Sequence, residues 1–158
     1  MVKEGDLAPD VTLQMGEGSM IRLSQLKRPL VVYFYPKDDT AGCTVEAKDF
    51  SALAGAFEIE GTSVLGVSKN PPKDHAKFTS KYDLKVPLAT DADGSVCEGF
   101  GTWGEKSLYG RKYMGIERAT FLIGEDGRIV RAWRKVSVKG HAEEVLAAAR
   151  ALKGTKSS

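Results

Sequence analysis

The feature that most limits the possible folds of this chain is an uninterrupted apolar run over residues 30–35. The run reads Leu-Val-Val-Tyr-Phe-Tyr and is followed directly by Pro36. It is β-branched and aromatic and lacks alternating polar residues, a pattern that suits a strand buried on both faces of a sheet. Because such a strand needs further elements packed on either side, the run predicts a central strand of an α/β protein.

The segments around this strand complete an alternating series. Residues 11–13 and 20–23 are two short strand patterns around a glycine-containing turn, which predicts a hairpin. The pattern then predicts a helix at 44–57, a strand at 63–67, a helix at 71–82, a short strand at 86–90, a short helix at 95–100, two hairpin-joined strands at 119–123 and 129–133, and a helix at 138–152. This order predicts a thioredoxin-like α/β fold with an N-terminal β-hairpin extension, because right-handed crossovers leave few alternatives.

Length and charge narrow the class of protein. The 158 residues predict one domain, placed here at residues 1–153, followed by a frayed tail at 154–158. A net charge of +2, from 23 basic and 21 acidic residues, gives no electrostatic reason to expect a nucleic-acid or membrane partner. No apolar run reaches the roughly 20 residues of a transmembrane helix, and the first ten residues are charged, so we expect a cytoplasmic protein.

The chain contains two cysteines, Cys43 and Cys97. Two cysteines are too few for a domain that depends on disulfides, and close pairs of zinc ligands are missing, so no metal or other cofactor is expected. Cys43 lies where the polar loop after the central strand enters the next helix. Backbone N–H groups without helical partners and the helix dipole both favour the thiolate there, and the thiolate is the nucleophile.

The residues before Cys43 add to this interpretation. The hydroxyl of Thr40 is expected to donate to the sulfur or to an oxygen of a bound molecule, and Pro36 is expected to stiffen and shield the loop. The alternative is that Cys43 is an inert core cysteine, as free cysteines often are. Gly42 and the polar loop favour a position at the end of an element instead.

These residues carry a resemblance to a known family. Pro36, Thr40 and Cys43 match the Pro-x-x-x-Thr-x-x-Cys signature of peroxiredoxins, and the run from Tyr33 to Thr44 resembles the bacterioferritin comigratory protein, or PrxQ-type, subgroup. The resemblance covers residues 5–152. It implies a thiol-dependent peroxidase that reduces hydrogen peroxide and organic hydroperoxides at Cys43, cycling through a sulfenic acid.

The resemblance also implies further site residues. Arg118 matches the active-site arginine of the family, whose guanidinium stabilises the thiolate and the departing peroxide oxygen. Glu46 resembles the polar residue that orients this arginine. Without the resemblance, Arg118 would be interpreted as a surface charge and Glu46 as a favourable charge at a helix N-terminus.

The chain departs from the subgroup at the resolving cysteine. Lys48 and Thr79 occupy the two positions where PrxQ-type proteins carry that residue. Cys97 is the remaining thiol, and its apolar flanks favour a buried structural role. We therefore expect a one-cysteine cycle with an external thiol reductant, such as thioredoxin or glutaredoxin. A two-cysteine cycle through Cys97 stays open as an alternative.

Two other functions remain as alternatives. A thiol–disulfide oxidoreductase is disfavoured because Glu46 stands where a Cys-x-x-Cys motif would need its second cysteine. A non-enzymatic thioredoxin-like binding or chaperone module would not need Pro36, Thr40, Cys43 and Arg118 together. Relatives of the PrxQ type are commonly monomers, so a monomer is expected.

Several other residues are expected to have no catalytic role. His75 and His141 are interpreted as surface residues, and Trp103 and Trp133 as aromatic residues of the core or its rim. A cluster of basic residues at alternating positions is interpreted as a solvated face; it consists of Arg128, Arg131, Arg134 and Lys135.

Overall fold

The computed structural model describes residues 2–16 and 18–156. The strands are β1 (Thr12–Gln14), β2 (Met20–Arg22), β3 (Leu30–Phe34), β4 (Ser63–Ser68), β5 (Leu88–Thr90), β6 (Trp103–Leu108), β7 (Arg111–Ile116), β8 (Ala119–Ile123) and β9 (Ile129–Trp133). The helices are α1 (Ala41–Ala52), α2 (Ala54–Ile59), α3 (Pro72–Tyr82), α4 (Ser95–Phe100) and α5 (His141–Lys156), and Leu23–Gln25 forms a 3-10 turn.

Seven of the strands form one sheet in the order β2-β1-β5-β4-β3-β8-β9. Strands β3, β4 and β5 run parallel to one another, whereas β8 pairs antiparallel with β3 and β9 antiparallel with β8. The N-terminal hairpin of β1 and β2 joins the sheet beside β5. This is the predicted thioredoxin-like α/β architecture with its N-terminal hairpin extension.

Strand β3 is central, and all five of its residues are buried. Because alternate side chains of a strand point to opposite faces, β3 contributes to two separate cores. Val31 and Tyr33 pack with residues of α1, α2, α3 and α5, while Leu30, Val32 and Phe34 pack with residues of α4 and of the N-terminal hairpin. The continuous apolar run is thus explained by burial on both faces.

The predicted helix at 44–57 is two helices. Helix α1 starts three residues earlier than predicted and ends at Ala52, and α2 follows after Leu53, whose ψ of 3° departs from helical geometry. The apolar spacing continues through both helices, and for that reason the periodicity did not reveal the break.

The hairpin of β6 and β7 was not predicted. It forms a separate two-stranded sheet whose turn contains Tyr109 and Gly110, both with positive φ, as two-residue hairpin turns require. Most described side chains of β7 are exposed, so the strand lacks the apolar alternation that marks a half-buried strand.

The interpretation of His75 and His141 as surface residues was wrong, because both are buried. His75 lies on the inner face of α3 with Phe78, and His141 donates or accepts a hydrogen bond at 2.8 Å from the Thr120 hydroxyl. Burial lowers the pKa of His141. Satisfied hydrogen bonds are what allow an imidazole to be buried.

The predictions for the two tryptophans are confirmed, and the prediction for the basic cluster is confirmed in part. Trp103 and Trp133 are half-buried, as expected for rim aromatics. Of the basic cluster, Arg128, Arg131 and Lys135 are exposed as predicted. Arg134 is half-buried and donates to the carbonyl oxygens of Val2, Phe100 and Gly101.

At the C-terminus, α5 continues through Lys156, past the start of the predicted frayed tail. Residues 157–158 of that tail lie outside the described residues. Within residues 2–16 and 18–156, no helix has the length and apolar character needed to cross a membrane.

Candidate active site

Cys43 is the third residue of α1, the helix that follows the carboxyl end of β3. Thr40 precedes the helix in an extended conformation (φ −92°, ψ 157°), and no side chain caps the first turn. The N–H groups of that turn therefore lie beside the cysteine without a side-chain partner. Cys43 itself is only 1% exposed and packs in the core with Tyr33 and Phe50.

Arg118, immediately before β8, reaches across to this helix. Its Nη2 lies 3.3 Å from Cys43 Sγ, and its Nη1 donates to Glu46 Oε1 at 2.6 Å. One guanidinium thus bridges a thiol and a carboxylate that are 75 and 72 residues away in sequence. Its planar fork suits such bidentate contacts, which a lysine cannot reproduce.

Glu46 is a buried partner of this arginine and does not project into solvent. It is 1% exposed, and burial raises its pKa to about 7 even though the charge of Arg118 opposes that rise. Burial alone would lower the pKa of Arg118, but Glu46 and Cys43 raise it above its usual value. The arginine therefore keeps its charge beside the sulfur.

Gly42 makes room for the arginine. A Cβ atom at this position would lie 3.1 Å from Arg118 Nη2, closer than nearly all real Cβ contacts. With a larger residue before the cysteine, the guanidinium would have to shift by a few tenths of an ångström from the first turn of α1.

Thr40 and Pro36 lie in the loop of residues 36–40 that joins β3 to α1. The hydroxyl of Thr40 donates to the carbonyl oxygen of Lys37 at 2.9 Å, and not to the sulfur as expected. This bond closes the loop on itself just before the helix. Pro36, the second residue after β3, is half-buried.

Cys97 lies on the other side of the sheet from Cys43. It packs with Val32 and Phe34, whereas Cys43 packs with Val31 and Tyr33. Alternate residues of β3 point to opposite faces, so the sheet separates the two thiols. Cys97 is fully buried, and burial, aided by Asp91, raises the pKa of its thiol to about 12. Both cysteines are free.

Sequence reasoning missed a buried polar cluster beneath the loop. It consists of Tyr35, Asp38 and His75, with Tyr35 Oη donating to Asp38 Oδ1 and His75 Nδ1 lying 2.7 Å from Asp38 Oδ2. The sequence did contain an indication that His75 is buried. His75, Phe78 and Tyr82 recur at helical spacing and so share one face of α3.

The arrangement defines a class of protein. A cysteine sulfur at an uncapped helix N-terminus, contacted by a charged arginine, is an arrangement that favours the thiolate, the nucleophilic form of cysteine. Together with the thioredoxin-like sheet, it is the site of a peroxiredoxin.

Comparison with known proteins establishes the family. The chain belongs to the AhpC/TSA family, whose model matches residues 5–132. It is 45% identical over 143 residues to peroxiredoxin Bcp of Xanthomonas campestris, covering 90% of this chain and 89% of the relative. It is 42% identical over 146 residues to peroxiredoxin Bcp of Bacillus subtilis, covering 92% and 93% of the two chains.

Solved structures agree with this assignment. The fold matches the bacterioferritin comigratory protein of Xanthomonas campestris, studied for its alkyl peroxide reduction activity, with a TM-score of 0.87 and 41% identity. That match covers 96% of this chain and 99% of the other. The PrxQ of Xylella fastidiosa, as a cysteine-to-serine mutant, matches with a TM-score of 0.89 and 40% identity over 96% and 97% of the chains. The protein is therefore a thiol-dependent peroxidase of the Bcp, or PrxQ, type.

Proposed function

We propose that Cys43 is the peroxidatic cysteine of this enzyme. The thiolate attacks the terminal oxygen of a hydroperoxide, a sulfur–oxygen bond forms as the oxygen–oxygen bond breaks, and the alcohol or water oxygen leaves and takes up a proton. The sulfur is oxidised by two electrons to a sulfenic acid, and the peroxide is reduced by the same two. The observation that carries this proposal is the 3.3 Å contact between Arg118 Nη2 and Cys43 Sγ.

The neighbouring residues have supporting roles in this proposal. Arg118 stabilises the thiolate and the negative charge that grows on the leaving oxygen, and Glu46 holds the guanidinium in place. The uncapped N–H groups of the first turn and the hydroxyl of Thr40, turning from its bond to Lys37, bind the peroxide oxygens. Gly42 keeps the space open, and Pro36 limits the motion of the loop.

The proposed cycle uses one cysteine. An external thiol attacks the sulfenic sulfur, releases water and forms a mixed disulfide, and a second thiol releases Cys43 in its reduced form. The separation of Cys43 and Cys97 by the sheet supports this cycle, as does the high pKa of Cys97, since a resolving cysteine must attack as its thiolate.

The proposal also covers the reductant, the peroxide substrates, the cellular compartment and the oligomeric state. We infer that a thiol carrier such as thioredoxin or glutaredoxin reduces the enzyme, and that hydrogen peroxide and organic hydroperoxides are both substrates. A cycle that consumes reduced thiols suits the cytoplasm, where such thiols are maintained. We infer further that one domain of residues 1–153 acts as a monomer.

The test is an intact mass measurement after reduced protein is mixed with one equivalent of hydrogen peroxide. Oxidation at Cys43 adds one oxygen within seconds, and dimedone traps the sulfenic acid at that residue. The matched control is Cys97→Ser, which is expected to react like the wild type. Addition of the oxygen at any residue other than Cys43, or no addition, would contradict the proposal.

A further inference from the structure

The loop that leads into the helix of Cys43 is fastened to α3 at two consecutive aspartates. Asp38 is buried and contacts His75, while Asp39 is exposed and contacts Lys81 and Tyr82. The two attachments belong to the same loop and the same helix, but they differ in solvent exposure. They can therefore be compared directly.

The buried attachment at Asp38 depends more strongly on its hydrogen bonds than the exposed one at Asp39 does. The carboxylate of Asp38 accepts a hydrogen bond from Tyr35 Oη at 2.5 Å and lies 2.7 Å from His75 Nδ1. Its backbone N–H donates to Asn70 Oδ1 at 2.9 Å. Asp38 is 8% exposed and His75 is 2% exposed. A carboxylate this buried is tolerated only while its donors remain in place, so losing one partner leaves a costly unpaired group.

The partners of His75 fix its protons. Its Nε2 lies 3.0 Å from the carbonyl oxygen of Ala89, which only accepts, so Nε2 carries a hydrogen. Burial raises the pKa of Tyr35, so its phenol stays protonated and donates to Asp38. One further proton must lie between His75 Nδ1 and Asp38 Oδ2, because two lone pairs would otherwise face each other. The closed loop is therefore held by a shared proton as well as by packing.

The position of this loop matters for both halves of the reaction. Two residues after Asp38 the chain reaches Thr40, which directly precedes α1, and Cys43 follows in the first turn. With the loop closed, Cys43 is 1% exposed, so a small peroxide needs little space but a protein thiol cannot reach the sulfur. In this position of the loop, Cys43 lies beside Arg118 and the first-turn N–H groups that the proposed attack uses, and a protein thiol could reach the sulfur only if the loop moved.

We propose that Asp38 and His75 are positioning residues for the reaction at Cys43. Their contact holds the loop of residues 36–40 against α3 while the sulfur reacts with peroxide, and it breaks when the sulfenic acid is presented to a protein thiol. This inference rests on the proposed function, because it takes Cys43 as the reacting residue. Neither residue touches the sulfur or the peroxide; both act through the loop.

The experiment measures two rate constants in a set of variants. The first is the rate at which Cys43 loses its thiol after mixing with hydrogen peroxide, followed by rapid quenching and mass spectrometry. The second is the rate at which the preformed sulfenic acid is reduced by thioredoxin. Both are measured well below the unfolding temperature of each variant, so that a lowered melting point does not affect the comparison.

Variants that break the contact are expected to change the two rates differently. Asp38→Ala and His75→Gln should slow oxidation of Cys43 about 10- to 100-fold, since displacement of a reacting group by about 1 Å costs up to that factor. Reduction by thioredoxin should not slow and should accelerate where opening of the loop limits it. The double variant should lose no more than the larger single loss, because both substitutions break one contact.

A conservative variant separates positioning from general stability. In Asp38→Asn the amide oxygen still accepts from Tyr35, and the amide N–H₂ donates to the Nδ1 of a neutral His75. Oxidation should therefore be restored to within about threefold of the wild-type rate, far above that of Asp38→Ala. If Asp38→Ala does not fold, the comparison of Asp38→Asn with His75→Gln decides the matter.

Two further variants serve as matched controls. Asp39→Asn weakens the exposed attachment of the same loop, where an ion pair contributes little, and should leave both rates unchanged. His141→Gln removes another buried histidine that contacts Thr120 and not the loop, and the lowered pKa of His141 means that no charge is lost. It should lower the melting temperature without changing the oxidation rate.

Three outcomes would overturn the inference. The first is an oxidation rate within about twofold of wild type in both Asp38→Ala and His75→Gln, whatever their melting temperatures. The second is an equal slowing in His141→Gln. The third is a parallel slowing of reduction by thioredoxin in both contact-breaking variants. A wild-type protein whose Cys43 does not react with peroxide would instead contradict the proposed function itself.

Discussion

Cys43 and Cys97 occupy the same local position in two helices. Each is the third residue of a helix that follows a strand of the same sheet, and each is at least 99% buried. They differ in what lies at the helix N-terminus. The first turn of α1 has no side-chain cap and faces the guanidinium of Arg118, whereas the carboxylate of Asp91 accepts from the N–H groups of Val96 and Cys97 in α4.

This difference shows that a cysteine at a helix N-terminus is not reactive by position alone. At α4 the carboxylate of Asp91 accepts from the N–H groups. Burial, with the carboxylate adding to it, raises the pKa of Cys97 to about 12. At α1 the N–H groups remain free and a positive charge lies 3.3 Å from the sulfur. The two helix ends therefore place opposite charges beside a buried thiol: a positive one at Cys43, and at Cys97 a negative one that adds to the effect of burial.

The largest expected difference is between serine substitutions at the two positions. Cys43→Ser should reduce peroxide turnover to background, because a serine hydroxyl is almost fully protonated near neutral pH and is a weak nucleophile without an adjacent base. Cys97→Ser should retain turnover with a thiol reductant. Steady-state peroxidase assays on both variants test this. Loss of turnover in Cys97→Ser would contradict the expectation that only Cys43 is needed for turnover.

The next effect comes from the guanidinium. Arg118→Ala should slow oxidation of Cys43 by about 10²–10³-fold, the typical loss when one preorganised donor is removed. Arg118→Lys should recover only part of the rate, because a point charge cannot bridge Cys43 and Glu46 as the planar fork does. The rate is measured by rapid quenching. A wild-type rate in Arg118→Ala would show that the arginine does not assist oxidation of Cys43.

A smaller effect is expected from Gly42→Ala. The added Cβ, 3.1 Å from Arg118 Nη2, should push the guanidinium by a few tenths of an ångström and slow oxidation by less than Arg118→Ala does. Replacing glycine by alanine in a helix favours folding by up to about 1 kcal/mol, so stability should not fall. Reduced reactivity with unreduced melting temperature is the predicted combination; unchanged reactivity would show that Gly42 does not determine the approach of the arginine.

The pH dependence of stability tests Glu46. Its pKa is raised in the folded protein from 4.5 to about 7, so between these values the native state binds a proton that the unfolded chain releases. The contribution of Glu46 to the free energy of unfolding therefore falls as pH rises through this window, by on the order of 3 kcal/mol. Urea unfolding at pH 5 and pH 7.5 should show this fall in the wild type relative to Glu46→Gln. Identical pH dependence in the two proteins would show that burial does not raise this pKa.

The smallest effect is expected at the other helix. Asp91→Asn removes the carboxylate beside Cys97, but burial is the larger cause of the raised pKa and remains. Alkylation of Cys97 in the native Cys43→Ser background should stay slow, and turnover of the single variant Asp91→Asn should match the wild type. Rapid alkylation would mean that the carboxylate, and not burial, keeps this thiol inert.

Much of this comparison could be predicted from the sequence. The apolar run of β3 predicted the central strand, and the signature from Pro36 to Cys43 predicted the reactive helix start. Lys48 and Thr79 at the usual resolver positions indicated a one-cysteine cycle. The strand follows from a local pattern, which a single sequence displays directly. The site signature and the resolver positions rest on the family resemblance, and the one-cysteine cycle stays a prediction.

The rest depended on contacts between distant segments. The resemblance implied that Glu46 orients Arg118, but no local pattern links residues that are 72 apart. Their ion pair forms because β8 pairs beside β3. The Asp38–His75 contact likewise joins the loop to α3, and a buried histidine among polar neighbours looks like a surface residue until its partners are known. The hairpin of β6 and β7 was missed because its exposed faces leave no apolar alternation.

The measurement that most directly tests the separate roles of the two cysteines is peptide mapping of the non-reduced protein after one equivalent of hydrogen peroxide. The thiols lie on opposite faces of the sheet, so we expect a sulfenic acid at Cys43, trapped by dimedone, and an unmodified Cys97. Excess peroxide should convert Cys43 to sulfinic acid and leave Cys97 reduced. A quantitative disulfide between Cys43 and Cys97, within one chain or between two, would contradict the one-cysteine cycle and make Cys97 the resolving cysteine.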